Sequence, residues 1–225
     1  MKVLFAIISC NDPRYYPEKT QVQRETWIRD IEGADYKFFF GRTDRSPLPD
    51  EVILDCLDDY ESLYMKVRAI LIWAYERGYD AVVKCDDDSY IFPKNLLRSG
   101  VEKYHYAGCY IPAGEIDGVS FPAFAGGGCY WLSRKAVTIV LSSPVYYFLS
   151  AEDRNIGYIL AQNGIFLHDD GNHTCMTWAG GDDGNGHRMR LTKKPVVAVH
   201  TCTSQQIRGI HNGKESLKTC YTRQF

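Results

Sequence analysis

The chain has no apolar run approaching the roughly 18 to 20 residues that cross a bilayer, so no transmembrane helix is expected. It has no excess of charge: 26 Lys and Arg stand against 28 Asp and Glu over 225 residues. That balance argues against a protein that lives wholly on nucleic-acid phosphates. Its eight cysteines include no Cys-x-x-Cys pair, which removes the zinc-ribbon and dithiol-redox readings. Neither an internal repeat nor a Pro/Gly-rich linker divides it. With 45% hydrophobic and 24% charged residues it is globular rather than disordered or fibrous, and its length suits one domain.

What charge there is lies unevenly. From Asp182 to Phe225 eight Lys and Arg face three acids, so this segment is about +5 and the rest about −7. A basic arm beside an anionic ligand is the expectation. The opening Met1–Cys10 imitates a lipoprotein leader, but its apolar run sits at the floor of a signal core. It reads as a buried first strand, and the protein as cytoplasmic with reduced thiols. The even cysteine count keeps disulfides open. The sequon Asn172-His173-Thr174 then carries no weight.

Short continuous apolar runs at 2–9, 36–40, 51–55 and 80–85 have the pattern of strands covered on both faces. Between them, 18–29 reads as a helix, and 62–77 places Leu63, Lys66, Val67, Ile70, Leu71 and Ala74 at helical spacing up to Gly78. Strand-helix alternation predicts an α/β domain, a Rossmann-like, mostly parallel sheet with helices on both faces. Further helices are expected at 93–103, 134–141 and 151–162, and further strands at 104–111, 129–133 and 195–200. Long aperiodic stretches at 111–128 and 168–190 read as binding loops.

In such sheets ligands bind beyond the carboxyl ends of the strands. Asp86-Asp87-Asp88 lies there, after Lys84-Cys85. Carboxylates at i and i+2 on extended backbone point the same way, so Asp86 and Asp88 suit a Mn or Mg ion. A solvated acidic turn is the plainer alternative. His200, ending the last strand, can add an imidazole or be an ordinary core histidine. Asp153, at the start of a helix, is a reactive carboxylate or a cap. Gly126-Gly127-Gly128 is a flexible turn or a place where backbone meets a ligand closely.

Five elements together resemble glycosyltransferase family 31, the inverting β-1,3-galactosyltransferase, core-1 and Fringe-like group. Arg24-Glu25-Thr26-Trp27 is similar to its Arg-x-Thr-Trp element, and Asp58 to Lys66 to its Asp-x-Tyr-x-Asn-Leu-x-x-Lys segment. Lys84 to Asp88 resembles the Lys-x-Asp-Asp-Asp motif, Gly126 to Ser133 the Gly-Gly-x-x-Tyr-x-x-Ser stretch, and Glu152 to Gly157 the Glu-Asp-Val-x-x-Gly stretch. The matches keep the family's order across about residues 3 to 200. Arg154 in place of Val and Ser62 in place of Asn are departures.

The resemblance implies a single GT-A domain, with a nucleotide-binding half at 1–110 and a donor-sugar and acceptor half at 111–225. It implies transfer of a hexose or N-acetylhexosamine from a UDP-sugar to an acceptor hydroxyl. Asp86, Asp88 and His200 would hold the ion, and Asp153 would be the general base, with Glu152 the competing assignment. Asp87, Arg24, Lys66, Gly127, Gly128 and Glu152 would serve donor binding. The acceptor is left open among glycan, protein, lipid-linked sugar and nucleic-acid base. Two rivals remain: a non-catalytic nucleotide-sugar or glycan binding module, and a metal-dependent phosphoesterase.

Overall fold

The computed structural model describes residues 1–145, 151–168 and 196–214. Asn172 to Thr174, Cys175, Cys220, nearly all of the stretch 168–190 expected to be a binding loop and most of the basic C-terminal segment lie outside the described residues.

A six-stranded sheet forms the centre, in the order β3-β2-β1-β4-β9-β6. β1 (Val3–Ile8), β2 (Asp35–Phe40), β3 (Glu51–Ile53) and β4 (Ala81–Asp86) pair in parallel. β9 (Phe124–Ser133) runs antiparallel between β4 and β6 (Tyr106–Ile111). Every residue of β1 is buried, as its unbroken apolar run demands. Val3, Phe5 and Ile7 face a layer made by α1 (Glu18–Glu25), α3 (Pro93–Arg98) and α6 (Ser204–His211). Leu4, Ala6 and Ile8 face α2 (Leu63–Glu76), α4 (Arg134–Ser142) and α5 (Glu152–Gln162). Strand alternation thus sorts one run into two cores.

Several expectations need correction. The predicted helix at 18–29 stops at Glu25, and a 3₁₀ turn, Trp27–Asp30, follows so that Trp27 is fully buried. The one at 93–103 stops at Arg98, because Gly100 takes φ +82°. The stretch 111–128 is not a loop. It holds a hairpin of β7 (Gly114–Ile116) and β8 (Val119–Phe121), and β9 already begins at Phe124. Asp117 and Gly118, at φ +51° and +77°, make the turn, as an Asp-Gly pair between strands does.

Two short strands close the carboxyl edge: β5 (Tyr90–Ile91) pairs antiparallel with β10 (Ala198–Val199). α6 was not foreseen, although Thr203 and Gln206 form a full capping box. Cys10, Cys56, Cys85 and Cys129 are free thiols. Among the described residues no helix is long and apolar enough to cross a membrane.

Candidate active site

A cleft of about 840 Å³ opens beyond the carboxyl ends of β1 and β4, bounded by the start of α5 and by His200 after β10. Asp86 ends β4, and Ser89 N donates to its carbonyl at 3.1 Å, bending the chain into a tight acidic turn. That turn, rather than strand alternation, divides the triplet. Asp86 and Asp88 face the cleft; Asp87 turns back toward α1.

His200 Nε2 lies 3.3 Å from Asp86 Oδ2 and 3.1 Å from Asp88 Oδ1. The three ligand atoms fall within 4.8 Å of one another. Asp88 Oδ1 is nevertheless buried without an aligned hydrogen-bond donor. Burial pulls the His200 imidazole down, but the two carboxylates push it up to about 10. Their field thus holds a proton where a divalent ion would compete for it. Two hard carboxylate oxygens, one of them orphaned, and one imidazole are a fitting donor set for Mn or Mg.

Asp86 Oδ1 accepts from Lys84 Nζ at 2.6 Å. Lys84, on the same face of β4, is 1% exposed, and its ammonium also donates to the Gly127 carbonyl at 2.5 Å and lies 3.6 Å from Glu152 Oε2. Burial would strip its proton, yet Asp86 and Glu152 hold its pKa above the ordinary lysine value. Burial likewise pushes Asp86 up, and Lys84 and His200 hold it well below the usual carboxylate range. One interior cation therefore joins the acidic turn to the start of α5.

There the two acids differ. Glu152 is 5% exposed; one of its oxygens accepts from Tyr130 OH and the other faces Lys84. Burial raises it to about 7. Asp153 is only half-buried and lines the cleft. Its Oδ2 accepts from Gly127 N at 2.8 Å and its Oδ1 from Arg154 N at 2.8 Å. Burial raises its pKa against the pull of Lys84.

No known family's sequence profile and no curated protein matches the chain. Solved structures do. A protein from Desulfovibrio desulfuricans G20, described as a nucleotide-diphospho-sugar transferase, superposes with TM-score 0.50 at 13% identity, over 73% of this chain and 78% of that one. A glycosyltransferase involved in glycosylation of the major capsid of PBCV-1 superposes with TM-score 0.52 at 15% identity, over 91% and 99%. The fold is of the GT-A type.

On this GT-A scaffold, most of the residues singled out from sequence meet in the cleft. Asp86, Asp87, Asp88, Lys66, Gly127, Glu152, Asp153 and His200 line it. Asp87 does so with its carboxylate committed elsewhere: Ser9 Oγ donates to it at 2.6 Å, Lys19 Nζ lies 3.2 Å away, and Gln23 donates to its carbonyl. Burial raises its pKa, with Lys19 opposing. Lys66 donates to the Ser9 carbonyl at 2.6 Å and pairs with Asp58. Both residues brace the acidic turn and the end of β1.

Arg24 is not in the cleft. Its guanidinium is held by Asp50 at 2.7 and 3.0 Å and by Glu51 at 2.9 Å, over the Phe38 ring. Gly128 is also outside the lining, packed behind His200. Sequence reasoning passed over Lys84 and Tyr130 as site residues. The rule that pairs Asp86 with Asp88 also pairs Lys84 with Asp86, so Lys84 was findable. Tyr130 needed the register Lys84↔Tyr130 between β4 and β9.

Proposed function

We propose that this chain is a metal-dependent inverting glycosyltransferase, moving a hexose or N-acetylhexosamine from a UDP-sugar to an acceptor hydroxyl, in a β-1,3-type linkage as in family 31. The observation that carries the reading is the convergence of Asp86, Asp88 and His200 with Asp153 in one cleft at the carboxyl edge of a GT-A sheet. Residues 1–110 would form the nucleotide half and 111–225 the sugar and acceptor half.

Asp86, Asp88 and His200 would hold the ion. When bound, a Mn or Mg ion supplies Lewis-acid stabilisation of the charge that develops on the leaving diphosphate. Lys84 keeps Asp86 ionised and aims its free oxygen, Oδ2, toward His200. Asp153 accepts the proton of the acceptor hydroxyl as the general base. Its two backbone donors fix the carboxylate while leaving it open to the cleft. Glu152 is the weaker assignment, because both its oxygens are engaged away from solvent.

A pure binding module has no use for a carboxylate held ready in this way, and that disfavours the non-catalytic reading. The cleft also bears on the acceptor. Among the described residues it is lined by eight acids against Arg14, Lys66 and Lys84, so a neutral acceptor hydroxyl fits better than a polyanion. Incubation with UDP-sugars and Mn²⁺ tests the reading. UDP and a glycosylated acceptor are expected from the wild type and not from Asp153→Asn. UMP plus sugar phosphate would indicate the phosphoesterase instead.

A further inference from the structure

The three glycines 126–128 sit in β9, where a strand usually carries side chains to pack. Their surroundings differ. A Cβ on Gly126 would meet only the Ile111 side chain, at 3.5 Å. One on Gly127 would meet Asp153 Oδ2 at 3.4 Å and Lys84 Nζ at 3.5 Å, ordinary contacts. One on Gly128 would lie 2.4 Å from His200 Cγ, 2.6 Å from its Nδ1 and 2.7 Å from its Cβ. No rotation about the His200 side-chain bonds relieves the last of these, since Cβ itself is too close.

Nor is the His200 backbone free to retreat. β10 is paired with β5 just before it, and just after it Cys202 N donates to the Asp88 carbonyl at 2.8 Å. Thr201 between them takes φ +58°, a left-handed conformation that is uncommon for a residue with a side chain. Gly128 is anchored as well: its carbonyl accepts from the buried Ser89 Oγ at 2.8 Å. The acidic turn, the His200 segment and β9 are thus stitched together, and His200 fills the space that a side chain at position 128 would need.

We propose that Gly128 is a positioning residue that seats His200 as the third ligand to the divalent cation, rather than a contact to the donor sugar. Its part in cation binding rests on the reading of Asp86, Asp88 and His200 as the metal set. The seat itself does not.

The test uses the full chain in five forms: wild type, Gly126→Ala, Gly128→Ala, His200→Gly and Gly128→Ala/His200→Gly. Mn²⁺ affinity is measured by calorimetry without nucleotide, and melting temperature alongside. Gly126→Ala should bind as the wild type does. Gly128→Ala should lose about 10- to 100-fold in affinity, the loss typical when a group that orients a ligand is removed. Adding Gly128→Ala to His200→Gly should cost no further affinity, and His200→Gly should restore melting temperature lost by Gly128→Ala.

Wild-type affinity in Gly128→Ala, or stability losses that simply add in the double variant, would overturn the proposal. If Gly128→Ala fails to fold, recovery of folding in the double variant supports the seat, and failure to recover overturns it. A wild type that binds no Mn²⁺ would remove the metal role, and with it Gly128's part in cation binding; the melting cycle would still decide whether the glycine seats the imidazole.

Discussion

Replacing Lys84 by methionine keeps the length of the side chain and removes the ammonium that lies among Asp86, Glu152 and Asp153, leaving His200 beside Asp86 alone. Breaking a buried ion pair by deleting one partner costs about 3 to 5 kcal/mol, because the other charge stays desolvated. Lys84 is 2.6 Å from Asp86 and 3.6 Å from Glu152, so the upper part of that range is expected where both acids are ionised. For a chain of this size, each kcal/mol shifts the melting temperature by about 2–4 °C, hence a drop of roughly 6–20 °C.

Acidification should narrow the gap. The folded-state pKa of Glu152, about 7, lies above its ordinary value of 4.5. Its bound proton therefore stabilises the fold fully below the ordinary value, and that contribution is lost as pH rises through the folded one. Without Lys84 the neighbouring acids hold protons more tightly still, so the variant regains stability as pH falls from about 8.5 to about 5.5. Denaturant unfolding at the two pH values measures this. A loss under about 1 kcal/mol at the higher pH, or a gap that widens on acidification, would refute the buried-cation argument.

Asp153→Asn should lower turnover by about 10²- to 10⁴-fold, the usual contribution of a general base, while UDP affinity measured by calorimetry stays at the wild-type level. The acid limb of the pH–rate profile should lie above that of an exposed aspartate, because burial raises Asp153; a limb at the exposed value would point to another group. Arg24→Ala should cost about 1 to 3 kcal/mol in denaturant unfolding, through the unpaired Asp50 and the Glu51 oxygen that Arg24 held, Glu51 keeping Arg45 on its other oxygen, and leave UDP affinity unchanged. Asp87→Asn should destabilise the acidic turn and weaken Mn²⁺ binding less than Asp88→Asn does, since Asp87 faces Ser9 and Lys19.

The strands and long helices were legible because burial on both faces writes itself as continuous apolar runs and burial on one face as helical spacing. β1, β2, β4 and α2 fall within a residue or two of where those patterns put them. Elements that depend on a partner were not legible. β5 and β10 are two residues each and exist only as a pair, and β9 extends back through three glycines that have no strand propensity of their own.

The hairpin turn at Asp117-Gly118 and the capping box at Thr203 were local signals that went unread. At the site, i and i+2 spacing set Asp86 and Asp88 apart from Asp87, but the structure makes that separation with a turn after β4 and not with extended backbone. It said nothing of Arg24, whose surroundings are set by Asp50 and Glu51 from another part of the chain. Nor did it reveal why Gly128 is bare, which depends on a histidine 72 positions later in the chain.

The most direct test of the central claim is calorimetric titration of UDP with Mn²⁺, repeated with chelator and with Asp86→Ala/Asp88→Ala. The account predicts binding in Mn²⁺ that is lost on chelation and in the variant. UDP binding that ignores both the metal and the two aspartates, or no binding under any of these conditions, would contradict it.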